Sequence, residues 1–594
     1  MAFSPYACSG SDNGSGKRKP GTGSCKPRLD VTEMRVDNGN WFHQRPLCDI
    51  DTGQRGTGIV HVIKLQLDVN HDGIMDTSFA GPDNTSYRRP FVFWINNDFD
   101  QPESLLLPER DVEKRALPDH AYGRIRCQRN LEDFARLWIC GLPAFPLYGG
   151  YTISLSWRNT SGEPRIRLYA AYENDGGIRY LTDTNVAAMQ AAAIWTGQTW
   201  VGCGASLAEI APGQPYTWPA PGRACSQHYL FEGSGVGYGE LVLTVRQGTN
   251  VLAETSAWID LRDVKDLYER CYINVVTSTN RPDFWASTNW VENPKLAAAD
   301  EDQHVIVYVH GFDNTVGSWL VRSDTVFKRL YWAGYSGKFA SVRWPCKLLP
   351  PKSLDPFSYN LSELYAFKSA YGFKDYLNQL RCRFPSYRLH ILAHSQGAAV
   401  VSEALRLGAP FDTVILAQAA MPASCYDVNA PSDADLVARD AGPFITPEWQ
   451  PMGYRGVYTN IAGRLLNFFN TADGILRGAW MWDQKFNKPD GAAYALNYFY
   501  DGTNGWRVLD VGLIRLVTDP QESRAMISRS RTWAIGVQGP VSGQAQGVIG
   551  SGVDLQASFG FGYSRAEHSA LFTRPVQTVR QYYRQVLIEI QPSQ

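Results

Sequence analysis

Apolar positions along this chain follow two rhythms, and the change between them falls near residue 286. From about 31 to 285, short runs alternate apolar and polar residues. Val60–Val69, Phe91–Ile95, Tyr151–Trp157, Ile166–Tyr172 and Leu241–Val245 are examples, with Gly, Asn, Asp and Pro between them. A period of two belongs to half-buried strands, and strands at this spacing predict a sandwich-like, β-rich domain. Helical spacing interrupts it over Thr184–Ala193, and residues 254–271 (ETSAWIDLRDVKDLYERC) read as a strand passing into a short helix. Beyond 286 the apolar runs become continuous: His304–Val309, Phe339–Trp344, Leu389–Leu392, Thr413–Ala419 and Leu465–Phe469, with Trp533–Val537 a less apolar candidate. Helical stretches alternate with them at Trp319–Trp332, Leu361–Leu380 and Val576–Ile588. Strands alternating with helices predict a mostly parallel sheet flanked by helices, over 286–594. Residues 1–30 are rich in Gly, Ser and Lys and read as a disordered tail.

Length agrees with this division, since 594 residues exceed what one core accommodates. Basic and acidic residues nearly cancel (57 against 58, net charge −1), so nucleic acid and anionic membranes are not expected partners. No apolar run approaches the roughly 20 residues that span a bilayer, and no signal-peptide pattern opens the chain. Eleven Cys contain no CxxC pair, which argues against a zinc ribbon or a thioredoxin-like site. Compartment and oligomeric state stay open.

Two stretches carry candidate chemistry. The first is Asp68-Val-Asn70-His-Asp72-Gly73-Ile-Met-Asp76. Oxygen-bearing side chains at positions 1, 3, 5 and 9, with Gly at 6, match the front of a calcium loop. Position 12 holds Phe79 in place of Glu, so a closing ligand must come from elsewhere, for example from Asn96-Asn97-Asp98-Phe-Asp100. Structural calcium at Asp68, Asn70, Asp72 and Asp76 is one expectation; the other is a pair of polar turns.

The second stretch is RLHILAHSQGAAVVSEAL, residues 388–405, in which an apolar strand meets a helical pattern at Ala393-His-Ser395-Gln-Gly397. A serine at such a strand-to-helix turn is exposed at its tip, and the crowding there requires small residues two places before and after it. Ala393 and Gly397 meet that requirement.

Together with His310-Gly311-Phe312, which follows an early strand, these motifs make residues 300–590 resemble the α/β-hydrolase superfamily. Alanine at position 393, where glycine is usual, keeps the side chain small. The resemblance implies an order of serine, acid, histidine along the chain. Of ten His, only His568 follows Ser395, so His568 is the implied base; it sits in RAEHSALF just before the last helix. Asp473, at the carboxyl end of Leu465–Phe469, is the implied acid, with Asp427 as the alternative. The oxyanion hole would use the backbone N–H groups of Gln396 and Phe312, or of Gly311 in place of Phe312. His310 is expected to brace that loop and His394 to pack on the turn. More narrowly, the DxNxDG loop followed by FWINND and joined to HGF and AHSQG resembles bacterial hydrolases without a settled substrate.

The activity implied is hydrolysis of carboxylic esters through an acyl-enzyme, with no cofactor for catalysis. Amidase and acyltransferase chemistry use the same residues, and a binding or adhesion protein on a silent hydrolase scaffold is the alternative of another class. Residues 345–359, 422–454 and 478–504 read as insertions over the cleft, their aromatic residues favouring an apolar acyl or aryl group. The Gly- and Ser-rich stretch 539–562 reads as a mobile loop.

Overall fold

The computed structural model describes chiefly residues 63–71, 83–95, 131–140, 150–170, 206–218, 228–277, 284–292, 302–346, 356–426, 463–476, 534–537 and 549–591, apart from a few positions within them, and short stretches elsewhere. The expected tail, the helical stretch 184–193, and Asp72, Asp76, Asp427 and the 96–100 cluster lie outside the described residues. Residues 1–46 fall in a separate unit, in which the described residues Met34–Arg35 pair antiparallel with Trp41–Phe42. Everything below belongs to the second unit, residues 47–594.

The first sheet comprises β1 (Lys64–Leu67), β2 (Phe91–Trp94), β3 (Ala135–Cys140), β4 (Tyr151–Ala170), β5 (Ser206–Ile210), β6 (Tyr216–Thr217), β7 (His228–Gln247) and β8 (Asn250–Arg262). They form one hydrogen-bonded sheet, ordered β1-β3-β7-β8-β2, with β4 pairing β5, β6 and β7. Tyr151–Trp157 and Ile166–Tyr172, expected as two strands, are largely one: β4 continues through the polar Arg158–Pro164 stretch, with register shifts against β7 between Arg158 and Ser161 and between Gly162 and Arg165. Glycines of β7 make this fit. A Cβ on Gly237 would come within 2.5 Å of Pro164, and one on Gly235 within 2.6 Å of the Glu163 carbonyl. Polarity there marks an exposed length of paired strand, not a turn.

The second sheet comprises β9 (Glu269–Thr277), β10 (Phe284–Glu292), β11 (His304–Val309), β12 (Lys338–Arg343), β13 (Arg388–His394), β14 (Thr413–Ala417), β15 (Arg464–Phe469) and β16 (Ile549–Asp554). Their order is β10-β9-β12-β11-β13-β14-β15-β16, parallel throughout except for the β9–β10 hairpin at one edge. The sheet therefore opens at Glu269, upstream of the change in pattern at 286. Of the stretch Trp533–Val537, the described residues 534–537 form no strand: Ala534 makes a single bridge with Pro422 and a turn follows. Within the stretch expected as a mobile loop lie β16 and a short helix, Leu555–Phe559. Gly550 and Gly552 hid the strand, because glycine is depleted in strands.

Helices cover both faces: α1 (Val316–Trp332) and α6 (Val576–Ile590) on one, α2 (Pro356–Arg383) and α3 (Gly397–Arg406) on the other; between α3 and α6 lie α4 (Leu555–Phe559) and α5 (Ala570–Thr573). Successive strand residues divide between them. Val305, Val307 and Val309 enter the core under α2 and α3, whereas Ile306 and Tyr308 enter the core under α1 and α6. That second core continues without a break into the first sheet through Phe93, Trp94, Phe231 and Ile259. Phe327 and Tyr331 of α1 meet Trp94 edge-on, and the Tyr331 hydroxyl donates to the Val92 carbonyl at 2.7 Å.

Several histidines are buried in this framework. Burial, then the Arg580 charge, pushes His71 down to about 3; burial, then His304, pushes His390 down to about 3. Between those values and their ordinary value near 6.5, the unfolded chain binds protons that the folded chain excludes. Stability must therefore fall as pH falls through this window. Urea unfolding at about pH 5 should give a lower midpoint than at about pH 7, and an equal or higher midpoint at the acid pH would contradict the burial of these rings as neutral groups.

Candidate active site

Ser395 lies between the end of β13 and the start of α3, in the left-handed region with φ 53°. Such a backbone is strained for a non-glycine residue and persists where its surroundings fix it. Here the Ser395 N–H donates to the Ala417 carbonyl at 3.0 Å, and its own carbonyl accepts from Ala398 and Ala420 at 3.1 and 3.0 Å. A Cβ at Gly397 would come within 2.5 Å of the His310 carbonyl oxygen, so the turn presses directly on the His310–Phe312 loop. A Cβ at Gly311 would come within 2.7 Å of the Ser395 Cβ.

Asp473 follows β15, and His568 lies in a 3-10 turn, Arg565–Ser569. The structure brings both to Ser395. His568 Nε2 is 2.8 Å from Ser395 Oγ, and His568 Nδ1 is 2.7 Å from Asp473 Oδ2. A carboxylate oxygen only accepts, so Nδ1 carries the hydrogen and Nε2 presents a lone pair to the serine hydroxyl. All three residues are buried.

The two oxygens of Asp473 divide its tasks. Oδ1 accepts from the backbone N–H groups of Ile475 and Leu476 at 2.9 and 3.0 Å, closing a turn as a helix-capping aspartate would. Oδ2 faces His568 and accepts a further bond from Gln418 Nε2 at 2.6 Å. Burial alone would raise this carboxyl; His568 and the two backbone donors outweigh it and hold Asp473 below the usual carboxylate range.

Two neighbours were not assigned these roles by the sequence. Gln418, with φ 45°, bridges Asp473 to the Glu567 carbonyl at 3.0 Å. His394 Nε2 donates to the His568 carbonyl at 2.8 Å. Burial, then the nearby His568, keeps His394 well below its ordinary value and therefore neutral. No local pattern marks either residue, because their partners lie 149 and 174 positions away. His310 is stacked on Trp344 (5.3 Å, 8°), with Nδ1 on the Gly311 carbonyl at 2.8 Å and Nε2 accepting from the Trp344 N–H at 3.2 Å. Asn314 Nδ2 donates to the Gly311 and Phe312 carbonyls, both at 3.0 Å. Gln396 adjoins Ser395, and its side-chain carbonyl accepts from Ser362 Oγ of α2 at 2.6 Å.

Of the expected calcium ligands, Asp68 is buried at the end of β1, and Asn70 follows it. Among the described residues no group of three or more His, Cys, Asp or Glu stands ready for a metal. No described helix is long and apolar enough to cross a membrane.

The family model described as "Alpha/beta hydrolase of unknown function (DUF900)" matches residues 286–412, which hold the His310 loop and the Ser395 turn. The second half has the α/β-hydrolase fold. The matched span ends before Asp473 and His568. Among solved structures, an esterase of Pyrococcus furiosus is 17% identical over 36% of this chain and 75% of that one, with a TM-score of 0.20. An extracellular α/β-hydrolase from a Paenibacillus species is 10% identical over 28% and 77%, with a TM-score of 0.15. The acylaminoacyl peptidase of Pyrococcus horikoshii is 15% identical over 40% and 38%, with a TM-score of 0.20. Likeness at those scores bears no weight on activity. No curated protein matches the sequence.

Gly397→Ala should force the turn away from the His310 loop. The added methyl meets backbone, which has no rotamer to yield, so a cost of about 1–3 kcal/mol in urea unfolding is expected. Unchanged stability in that variant would mean that the close approach is not maintained.

Proposed function

We propose that this protein is a serine hydrolase acting on carboxylic esters, with Ser395 as nucleophile, His568 as general base and acid, and Asp473 as the group that orients His568. The observation that carries the reading is the unbroken pair of contacts, 2.8 Å from Ser395 Oγ to His568 Nε2 and 2.7 Å from His568 Nδ1 to Asp473 Oδ2. A serine hydroxyl is a weak nucleophile unless a base takes its proton during attack.

In the proposed reaction Ser395 Oγ bonds to the ester carbonyl carbon while its proton passes to His568 Nε2. The carbonyl oxygen becomes an oxyanion, held by the backbone N–H groups of Gln396 and Phe312. Collapse breaks the bond to the alcohol, which departs with the proton from Nε2 and leaves an acyl-Ser395. Water then attacks the acyl carbon and gives a proton to Nε2; the bond from the acyl carbon to Oγ breaks, Oγ takes the proton from Nε2, and the acid leaves with Ser395 restored. The charge of Asp473 stabilises the imidazolium formed in each half.

The partly buried side chains of Phe312 and Ile475, packed on Leu476 and Val537, favour an apolar acyl or aryl group. Amides and acyl acceptors other than water would use the same groups. The binding-protein alternative predicts an unreactive Ser395.

A fluorophosphonate probe distinguishes these readings. Labelling located at Ser395 by peptide mass, and lost in Ser395→Ala and His568→Ala, is the expected result. Asp473→Asn should slow turnover of p-nitrophenyl esters by about 10⁴-fold, because the amide favours the wrong tautomer of His568. A folded wild-type protein that takes no label would retire the hydrolase reading.

We also propose structural calcium at Asp68, Asn70, Asp72 and Asp76, on the spacing of the DxNxDG loop. A ligand of the folded state raises the melting temperature by mass action. Millimolar calcium should raise it relative to chelator, and equal melting in both would remove the proposal.

A further inference from the structure

The segment that carries His568, its 3-10 turn and the short helix α5 that follows, is held by its backbone carbonyls, and each hold comes from a different part of the molecule. The Glu567 carbonyl accepts from Gln418, and the His568 carbonyl from His394. The Leu571 carbonyl accepts two bonds, from Arg329 Nη1 at 2.7 Å and from the Tyr583 hydroxyl at 3.0 Å. Phe572, next in the chain, meets the His394 ring edge-on at 5.0 Å.

Arg329 is the unusual member. It belongs to α1, is 1% exposed, and its Nε faces Glu132 Oε1 at 3.2 Å. Glu132 is fully buried in a 3-10 turn, Leu131–Asp133, immediately before β3 of the first sheet. A guanidinium in this position carries two fixed directions, one toward the carboxylate and one toward the Leu571 carbonyl. Lowering the dielectric around an ion pair raises the penalty for any geometry other than the paired one. The carboxylate of the first sheet therefore fixes the fork, and the fork fixes the carbonyl three residues after His568.

We propose that Glu132 and Arg329 are positioning residues for His568, so that the first sheet forms part of the hydrolytic apparatus. The proposal rests on the hydrolase reading above. A built-in control accompanies it. Lys328 and Asp133, the adjacent residues on the same two elements, form a second fully buried pair at 2.8 Å. Asp133→Asn disrupts that pair and leaves the Arg329 to Leu571 bond in place.

The test compares Glu132→Gln, Arg329→Lys and Asp133→Asn, each assayed where it is folded by circular dichroism. Lysine keeps the charge opposite Glu132 but cannot bond both partners along the fork. A displacement on the order of 1 Å at a reacting group costs about 10²-fold in rate. Glu132→Gln and Arg329→Lys should thus lower kcat and the rate of fluorophosphonate labelling by about 10- to 100-fold with KM little changed, while Asp133→Asn keeps the wild-type rate. Hydrogen exchange of the peptide spanning 565–574 should quicken in the first two variants and not in the third. If Asp133→Asn slows labelling as much as the others, the pairs serve stability alone and the proposal fails. It fails equally if both Glu132→Gln and Arg329→Lys keep wild-type rates and exchange. Should the single charge changes prevent folding, the double variant Glu132→Gln/Arg329→Met removes the donor to Leu571 without leaving an unpaired charge, and unaltered exchange at 565–574 in that variant overturns the proposal. Absence of labelling in the wild type would remove the hydrolase reading, and the exchange data would still decide whether the pair orders the His568 turn.

Discussion

A single buried carboxylate gathers the chain at its candidate site. Asp473 keeps its charge in the interior because four donors face it: two backbone N–H groups of its own turn, Gln418 and His568. An unpartnered carboxylate there would be protonated or excluded, so the ends of β14 and β15 and the turn holding His568 must all converge on it. The Ser395 turn joins them through His568, 173 positions further along the chain. Removing the convergence would leave both a buried charge without donors and a histidine without a fixed tautomer.

The sheet supplies the platform for this convergence. Its strands are apolar on both faces, and adjacent parallel strands end at one edge, where the Gly311 loop, Ser395, Gln418 and Asp473 all emerge. Close approach at Gly311 and Gly397 presses two of those loops together. On the face beneath α1 and α6 the core does not stop at the second sheet. It continues through α1 into the first sheet, with two fully buried ion pairs crossing the same junction. Buried pairs contribute little net stability compared with apolar side chains, yet they tolerate few alternative geometries. A junction built this way registers the first sheet against α1, where a purely apolar contact would allow sliding.

Much of this was legible from local pattern. The continuous apolar runs His304–Val309, Arg388–His394 and Arg464–Phe469 are strands near the expected limits, because strands buried on both faces carry no alternation to misread. The Ser395 turn was marked by its small neighbours, whereas His568 and Asp473 followed only from the order that the α/β-hydrolase resemblance implies, with Asp427 left open as the acid. Less legible were elements whose stability comes from partners. Ile549–Asp554 is a strand despite its glycines because β15 pairs with it along its length. Arg158–Pro164 continues a strand despite its polarity because the glycines of β7 allow the backbones to meet.

The sequence by itself determined the alternation of strands and helices after residue 286 and the small-residue turn that carries Ser395. These depend on the spacing of side chains a few positions apart, which the chain fixes directly. Tertiary structure alone decided that Gln418 reaches Asp473, that His394 holds the His568 carbonyl, and that Glu132 reaches Leu571 through Arg329. Those are contacts between segments 55 to 242 positions apart, and no local spacing encodes them. They exist because packed elements bring donors to buried acceptors that water cannot reach.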